Sequence, residues 1–223
     1  MRIGFLVSGR GSNLEAVLGA VADGRLPGVE PVIVISNRPR VRACEVAARY
    51  GVPLQVLPLA GFADADQRDA AIGRLLTESG VDLALLAGYD QLLRAPFFAA
   101  FGGRAVNIHP SLLPRHGGKG MMGLAVHAAV LAAGDRETGV TIHDVTPELD
   151  AGPPIAVSRV AVLPEDSVES LAARVLAEEH RLLVTTLARL ASEKDGGGSS
   201  ASMAALPSTR RLVAAEQRIP PHA

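Results

Sequence analysis

Two polar residues, Asn107 and His109, stand two positions apart at the end of an apolar run that begins at Ala105. Because alternate residues of a strand face the same side, both side chains are expected to converge at one strand end. An asparagine amide can donate to a carbonyl oxygen that gains negative charge, and a histidine can deliver a proton near neutral pH. The pair suits acyl-type transfer, although a capped strand end with a hydrogen-bonded histidine is the structural alternative.

A third candidate catalytic residue is Asp150, in the segment Glu148-Leu149-Asp150-Ala151-Gly152-Pro153. A carboxylate within about 4–6 Å of an imidazole favours the charged form of the ring, so Asp150 beside His109 would support proton donation. An aspartate before Gly-Pro is also a common turn former. The sequence alone leaves both interpretations open.

The segment Ser8-Gly9-Arg10-Gly11-Ser12-Asn13 lies between an apolar run and a helical pattern. Glycines permit close backbone approach, and the free N–H groups at a helix start attract an anion. Ser12 and Glu15 also fit a capping box, which predicts how that helix begins. A dinucleotide fingerprint would need glycine in place of Leu14, and the Gly-Lys-Ser/Thr of a nucleotide-triphosphate loop is missing. A phosphate site and an ordinary βα turn therefore both remain open.

Other reactive side chains do not form a recognisable motif. Their spacings match neither a zinc helix motif nor a Cys/His finger, so we predict no metal site; the residues concerned are His109, His116, His127, His143, Asp144 and Asp150. Cys44 lies in an alanine-rich helical stretch and is expected to be a small packed side chain, not a nucleophile. Any acyl transfer should therefore be direct.

The elements that position these residues alternate between strand and helix, as in a doubly wound α/β fold. Continuous apolar runs predict strands buried on both faces, as in a parallel sheet covered by helices. The strands are expected at residues 3–7, 31–35, 83–87, 105–108, 140–145 and 155–162. The helices are expected at residues 13–22, 41–50, 66–79, 123–133 and 168–191.

The composition excludes several classes of protein. The 223 residues include 22 basic and 23 acidic side chains, a net charge of -1 that does not favour non-specific nucleic-acid binding. Hydrophobic residues make up 48% and predict a sizeable core, whereas the apolar runs are far shorter than the roughly 20 residues of a membrane helix. One cysteine and the lack of an apolar signal-peptide core favour a reducing cytoplasm.

We expect one domain over residues 1–193, with a phosphate-binding half at about 1–103 and a catalytic half at about 104–193. The sequence Asp-Gly-Gly-Gly-Ser-Ser-Ala-Ser follows Lys194 and is typical of a flexible linker. Residues 194–223 are therefore predicted to be a linker and C-terminal tail.

Taken together, these segments resemble the folate-dependent formyltransferases, and among them the glycinamide ribonucleotide formyltransferases. The resemblance covers nearly the whole chain, and the pairing of Asn-Ile-His-Pro-Ser-Leu-Leu-Pro with Leu-Asp-Ala-Gly-Pro is specific to the folate formyltransferases. The segments that carry it, in the family's order, are residues 8–13, 86–89, 107–114, 148–153, 178–180 and 217–221.

The resemblance implies a Rossmann-like formyltransferase fold, a three-layer α/β/α arrangement with a mostly parallel twisted sheet. It also implies transfer of a formyl group from 10-formyltetrahydrofolate to the amine of glycinamide ribonucleotide in purine synthesis, without a metal. Asn107 and protonated His109 would stabilise the developing oxyanion, His109 would donate a proton, and Asp150 would assist both steps. The implied partners are small molecules, not nucleic acid or membrane, and the chain is expected to be a cytoplasmic monomer or homodimer.

The same resemblance assigns binding residues. Those implied for glycinamide ribonucleotide are Gly11, Ser12, Asn13 and Glu179, with Glu179 on the ribose hydroxyls. Those implied for the folate are Asp90, Gln91, Leu92 and Leu93, largely through the main chain, together with Asn107.

The chain departs from the family pattern at three places. Asp90-Gln91 stands where many members have Met-Arg, and Ala65 stands where an arginine for the folate is frequent. The segment Arg115–Met122 is longer than in many members and rich in glycine, and its Lys119 is one of two lysines in the chain. These differences bear on how the folate is held.

Three other functions fit parts of the same pattern. Methionyl-tRNA formyltransferases normally carry a further C-terminal domain and a basic surface, and formyltetrahydrofolate hydrolases normally carry an N-terminal regulatory domain. A non-catalytic phosphate-binding module would use the loop at Gly11 alone and would leave Asn107, His109 and Asp150 unexplained. Convergence of these three side chains near Gly11 distinguishes an enzyme from such a module.

Overall fold

The computed structural model describes residues 1–197, whose strands form one seven-stranded sheet. The strands are β1 (Arg2–Val7), β2 (Glu30–Ser36), β3 (Leu54–Val56), β4 (Leu83–Leu86), β5 (Arg104–His109), β6 (Glu137–Asp144) and β7 (Pro154–Ala161). Their spatial order is β3-β2-β1-β4-β5-β6-β7. Strands β1 to β5 pair in parallel, and β6 and β7 are added antiparallel. The mostly parallel α/β sheet expected from the apolar runs is confirmed.

Helices cover both faces of this sheet. They are α1 (Ser12–Ala22), α2 (Arg42–Arg49), α3 (Ala65–Glu78), α4 (Ala95–Ala100), α5 (Leu124–Ala132) and α6 (Val168–Gly197), with a 3₁₀ turn at Leu59–Gly61. Neighbouring residues of β1 enter different cores because strand side chains alternate. Phe5 packs in the core beneath α1, α2, α5 and α6, whereas Leu6 packs in the core beneath α3 and α4. The expected three-layer arrangement is therefore present.

Some boundaries differ from the sequence expectation. Strand β3 and helix α4 were not expected, because runs of three and six residues are too short to show a clear period. Helix α6 continues to Gly197, past its expected end at residue 191 and into the predicted linker. Lys194 in this extension forms an ion pair with Asp82. The rest of the predicted tail, residues 198–223, lies outside the described residues.

The predicted Ser12–Glu15 capping box is wrong. Gly11 is the N-cap of α1, in a left-handed conformation with φ 71°, and no side chain caps this helix start. The Glu15 carboxylate instead accepts hydrogen bonds from Arg42 and Arg49 of α2, at 2.5 and 2.6 Å. A Cβ atom at Gly11 would lie 2.8 Å from Ala43, so this turn requires glycine both for its conformation and for the close approach of α2.

The strand order changes direction at β1, which has β2 on one side and β4 on the other. Such a switch point leaves a crevice outside the carboxyl ends of the strands, and ligands of open α/β sheets bind there. The segments that follow β1, β4 and β5 all leave the sheet at this edge. No helix within residues 1–197 has the length and apolarity needed to cross a membrane.

Candidate active site

A cavity of about 740 Å³ occupies the crevice at the carboxyl ends of β1, β4 and β5. Its volume falls in the range of small-molecule sites, roughly 300–1,000 Å³. Every residue that the sequence analysis assigned to catalysis or binding lines it: Gly11, Ser12, Asn13, Asp90, Gln91, Leu92, Leu93, Asn107, His109, Asp150 and Glu179. The structure therefore brings the three catalytic candidates together with the loop at Gly11.

The side chain of Asn107 is oriented by His143, which faces it across the antiparallel β5–β6 pair. The Nδ1 atom of His143 lies 2.9 Å from the carbonyl oxygen of Asp144, so Nδ1 must donate. In the neutral ring, Nε2 then accepts from the Asn107 amide nitrogen at 3.1 Å. This contact leaves the second N–H of the Asn107 amide free for a ligand oxygen.

The tautomer of the His109 ring is also set by one backbone contact. The Nε2 atom of His109 lies 2.8 Å from the carbonyl oxygen of His116, which can only accept, so Nε2 carries a hydrogen. The other ring nitrogen, Nδ1, faces the carboxylate of Asp150 at 3.8 Å. The proton that His109 can exchange is therefore the one on Nδ1.

Asp150 is a nearly buried carboxylate that has two imidazoles as neighbours. Its Oδ2 atom accepts the N–H of Gly118 at 2.8 Å and lies 3.8 Å from His109, while its Oδ1 atom lies 3.8 Å from Nε2 of His143. The backbone of Asp150 is left-handed, with φ 53°, a conformation that aspartate tolerates better than most residues. The loop is thus bent so that this carboxylate faces the ring of His109.

Two further histidines line the cavity and are held neutral by their surroundings. Burial lowers the pKa of His143 from its ordinary value, although the carboxylate of Asp150 opposes this effect. Burial and the proximity of His109 lower the pKa of His127. Both neighbouring rings are therefore biased against a positive charge.

The opposite end of the cavity can accept an anion. The N–H groups of Ser12 and Asn13 begin α1 and have no hydrogen-bond partner among residues 1–197, as expected for the first turn of a helix. The positive end of the helix dipole adds to their attraction for negative charge. Arg10 also lines the cavity. These groups suit a phosphate ester.

Glu179 is buried in the cavity wall beside this anion site. Its Oε1 atom accepts from the Asn13 amide at 3.1 Å. Burial raises the pKa of Glu179 to about 7, against the opposing effects of Asn13 and Arg10. The Oδ1 atom of Asn13 has no partner within the described part of the chain. A carboxyl group and an amide oxygen are thus available to hydroxyl groups of a ligand.

The loop after β4 supplies an unpaired stretch of main chain. Neither the N–H nor the carbonyl group of Leu92 and Leu93 has a hydrogen-bond partner among residues 1–197. The side chain of Asp90 binds Asn37 at 2.7 Å and Gln91 at 3.1 Å, and it forms an ion pair with Arg38. Although burial raises the pKa of Asp90, hydrogen bonds from Gln91, Asn37 and Ser8 lower it overall. The unpaired main-chain groups match a flat ring that carries both donors and acceptors.

Apolar side chains surround the mouth of the cavity next to this edge. Four large apolar residues line the cavity and keep 41–50% of their surface exposed: Leu92, Met122, Leu124 and Leu149. Lys119 also lines it, on a loop with glycines at 117, 118 and 120. Exposed apolar groups that cluster at a cavity are typical of a ligand site. This end suits an aromatic ligand with an anionic tail.

His143 is the main site residue that sequence reasoning missed, because it was considered only as a metal ligand. The signal that reveals its role is its pairing with Asn107, which depends on the strand register. Within residues 1–197, no group of three or more His, Cys, Asp or Glu side chains is arranged to hold a metal ion.

Comparison with known proteins agrees with this geometry. The chain is 39% identical to the chloroplastic phosphoribosylglycinamide formyltransferase of Arabidopsis thaliana over 194 residues, which are 86% of this chain and 66% of that protein. It is 40% identical to the trifunctional purine biosynthetic protein adenosine-3 of Drosophila melanogaster over 191 residues, which are 85% of this chain and 14% of that protein. The chain thus spans less than two thirds of the length of either relative.

The fold comparison gives the same result. The crystal structure of glycinamide ribonucleotide transformylase 1 from Symbiobacterium toebii superposes with a TM-score of 0.79 at 41% identity, covering 86% of this chain and 88% of that chain. This match confirms the formyltransferase fold that the sequence motifs implied. The family model described as formyl transferase matches residues 1–187. Because that match covers most of the 223-residue chain, the chain belongs to the formyl transferase family.

Proposed function

We propose that this chain transfers the formyl group of 10-formyltetrahydrofolate to the amine of glycinamide ribonucleotide, giving formylglycinamide ribonucleotide in purine synthesis. One observation carries the proposal: Asn107, His109 and Asp150 lie in the same cavity as the anion site at Gly11 and the unpaired edge at Leu92–Leu93. The activities named for the relatives from Arabidopsis thaliana and Drosophila melanogaster support the same function.

The end of the cavity at α1 would bind the ribonucleotide. The N–H groups of Ser12 and Asn13 would hold its phosphate, and Glu179 would accept hydrogen bonds from its ribose hydroxyls. This arrangement would direct the amine, at the other end of the molecule, toward the catalytic side chains. Binding energy from the phosphate would then position the reacting nitrogen.

The other end of the cavity fits the folate. Its pterin ring carries amide-like donors and acceptors, which match the unpaired main-chain groups of Leu92 and Leu93. The apolar rim would cover the aromatic part of the molecule, and Lys119 is placed to meet a carboxylate of its tail. When bound, 10-formyltetrahydrofolate supplies the formyl group and a nitrogen that must be protonated as it leaves.

Asn107, His109 and Asp150 would carry the chemistry. The free amide N–H of Asn107 would donate to the formyl oxygen as this atom gains negative charge, an interaction of the oxyanion-hole type. Nδ1 of His109 would donate a proton, and the hydrogen bond from Nε2 to His116 keeps the ring in the required orientation. Asp150 faces Nδ1 at 3.8 Å, and this carboxylate would receive a proton from the attacking amine through water.

This function involves two small-molecule substrates. A cytoplasmic location and a monomeric or homodimeric state stay predictions, as does the division of residues 1–193 into phosphate-binding and catalytic halves. Sedimentation analysis of the purified chain would determine the oligomeric state.

The decisive experiment measures folate absorbance during turnover of 10-formyltetrahydrofolate with glycinamide ribonucleotide, and with water as the only acceptor. We expect turnover that depends on the ribonucleotide and falls by about 10²–10⁴-fold in His109→Ala, the range for loss of a general acid. Turnover without the ribonucleotide would indicate a hydrolase. Binding of the ribonucleotide without turnover would indicate a phosphate-binding module.

A further inference from the structure

Arg68 is a charged residue that the proposed reaction does not use, yet it is 1% exposed. It lies in α3, next to Asp69, which is 0% exposed. The Nε and Nη2 atoms of Arg68 donate to Oδ1 of Asp69 at 3.1 and 2.7 Å. A buried ion pair of this kind is costly to desolvate, so it contributes little net stability. Its role is better sought in fixing the conformation of the segments that it contacts.

This ion pair holds the cavity loop at two points. The Oδ2 atom of Asp69 accepts the N–H of Arg94 at 3.0 Å, at the start of α4. The remaining Nη1 atom of Arg68 donates to Oε1 of Gln91 at 3.3 Å. The two contacts bracket Leu92 and Leu93, whose main-chain groups are unpaired within residues 1–197.

The contact with Arg68 also determines where the side chain of Gln91 lies. Its Oε1 atom is taken by Arg68, and its Nε2 atom donates to the backbone carbonyl and to Oδ1 of Asp90, both at 3.1 Å. With both ends of the amide bonded, the side chain of Gln91 is held against the cavity wall. A planar guanidinium presents its donors to two acceptors from separate nitrogen atoms in a rigid fork, whereas the three donors of a lysine ammonium rotate about a single nitrogen.

We propose that Arg68 is a positioning residue for the folate, and that its guanidinium, acting through Gln91, holds the Leu92–Leu93 main chain in the conformation that receives the pterin ring. This role rests on the proposed function. Arg68 does not line the cavity, so its effect on the ligand is indirect. It should change the affinity for the folate and leave the catalytic step unaltered, since Asn107 and His109 belong to β5.

The test uses Arg68→Lys, which keeps a positive charge for Asp69 but loses the bridge, and Gln91→Met, which removes the acceptor at similar volume. Arg74→Lys, at an exposed position of the same helix, is the matched control. Binding of folic acid would be followed by titration calorimetry, and turnover would give kcat and both KM values. Circular dichroism would show that each variant folds.

We expect Kd for folic acid and KM for the formyl donor to rise about tenfold in each variant, equivalent to about 1.4 kcal/mol. The kcat and the KM for the ribonucleotide should stay within about twofold. Because Arg68 acts through Gln91, the double variant should be little worse than either single variant. Arg74→Lys should behave as the wild type.

Unchanged folic acid binding in a folded Gln91→Met variant would overturn the proposal, even if Arg68→Lys failed to fold. Fully additive effects in the double variant would also overturn it, as would a fall in kcat at unchanged KM. A wild-type protein that shows neither folic acid binding nor turnover would instead overturn the proposed function, and this role with it.

Discussion

The Nε2 atom of His109 lies 2.8 Å from the carbonyl oxygen of His116, seven residues along the chain. His116 has a left-handed backbone with φ 54°, and its own Nε2 atom lies 2.7 Å from Oδ2 of Asp135. The hydrogen bond from His116 lowers the pKa of Asp135, so this carboxylate stays charged. The side chain of His116 thus anchors the loop after β5 to Asp135, while the carbonyl group of His116 orients the ring of His109.

Asp135→Ala should therefore impair catalysis from outside the cavity. Without this anchor, the His116 carbonyl is free to move away, and His109 is no longer kept with Nδ1 toward Asp150. We expect kcat to fall by about tenfold, which corresponds to about 1.4 kcal/mol in the barrier. Arg115→Ala is the control, because Arg115 binds the same carboxylate at 2.6 Å but is exposed. Equal losses in the two variants would contradict this role of His116.

His143→Ala should reduce kcat because the Asn107 amide loses the acceptor that orients it. Complete loss of an oxyanion donor costs about 10²–10³ in kcat, so a misdirected donor should cost about 10- to 100-fold. His143→Gln provides an acceptor oxygen and is expected to restore part of the rate. Steady-state kinetics with both substrates would measure the effect, and a glutamine variant no faster than the alanine variant would count against it.

Glu179→Gln should raise stability in a pH-dependent way. The pKa of Glu179 is about 7 in the folded protein, against the ordinary value of 4.5, so folding is penalised as the pH rises from 4.5 through 7. The variant avoids this penalty. Its gain in unfolding free energy should be under about 1 kcal/mol at pH 5 and reach about 3 kcal/mol at pH 8.

Urea denaturation at the two pH values would measure this difference. Glu178→Gln is the matched control, because the hydrogen bond from Arg181 lowers the pKa of Glu178. Replacing this carboxylate by an amide should therefore destabilise the protein increasingly as the pH rises. The same pH dependence in both variants would be incompatible with a raised pKa at Glu179. Under the proposed function, Glu179→Gln should also raise KM for the ribonucleotide.

Gly152→Ala should disable the site without touching a catalytic side chain. A Cβ atom at residue 152 would lie 1.7 Å from the carbonyl oxygen of Asp144, so the loop that carries Asp150 must shift. Displacement of this carboxylate by about 1 Å should reduce kcat by about 10²-fold. Gly102→Ala is the control, since nothing lies within 4 Å of its added Cβ atom. Wild-type kcat in Gly152→Ala would show that the loop tolerates the shift.

Much of the fold could be predicted from local patterns. The apolar runs of β1, β2, β4 and β5 were visible because strands buried on both faces consist mostly of apolar residues. The start of α1 was misjudged because Ser12 and Glu15 fit a local rule, whereas the distant residues Arg42 and Arg49 bind the Glu15 carboxylate. A capping rule considers only neighbours in sequence, and this contact is between two helices.

The amino-acid sequence alone is enough to identify the candidate residues of the site. Asn107 and His109 are recognised from their spacing on one strand, Asp150 from its own segment and from the family motif, and Glu179 from the family motif alone. It could not determine the contacts that give them their chemistry. The neutral state of His143 and its bond to Asn107 depend on an antiparallel register, and the orientation of His109 depends on a loop that returns to it. The bridge from Arg68 to Gln91 joins residues 23 positions apart. Hydrogen bonds and burial act over a few ångströms in space, so these contacts depend on how the folded chain brings distant segments together.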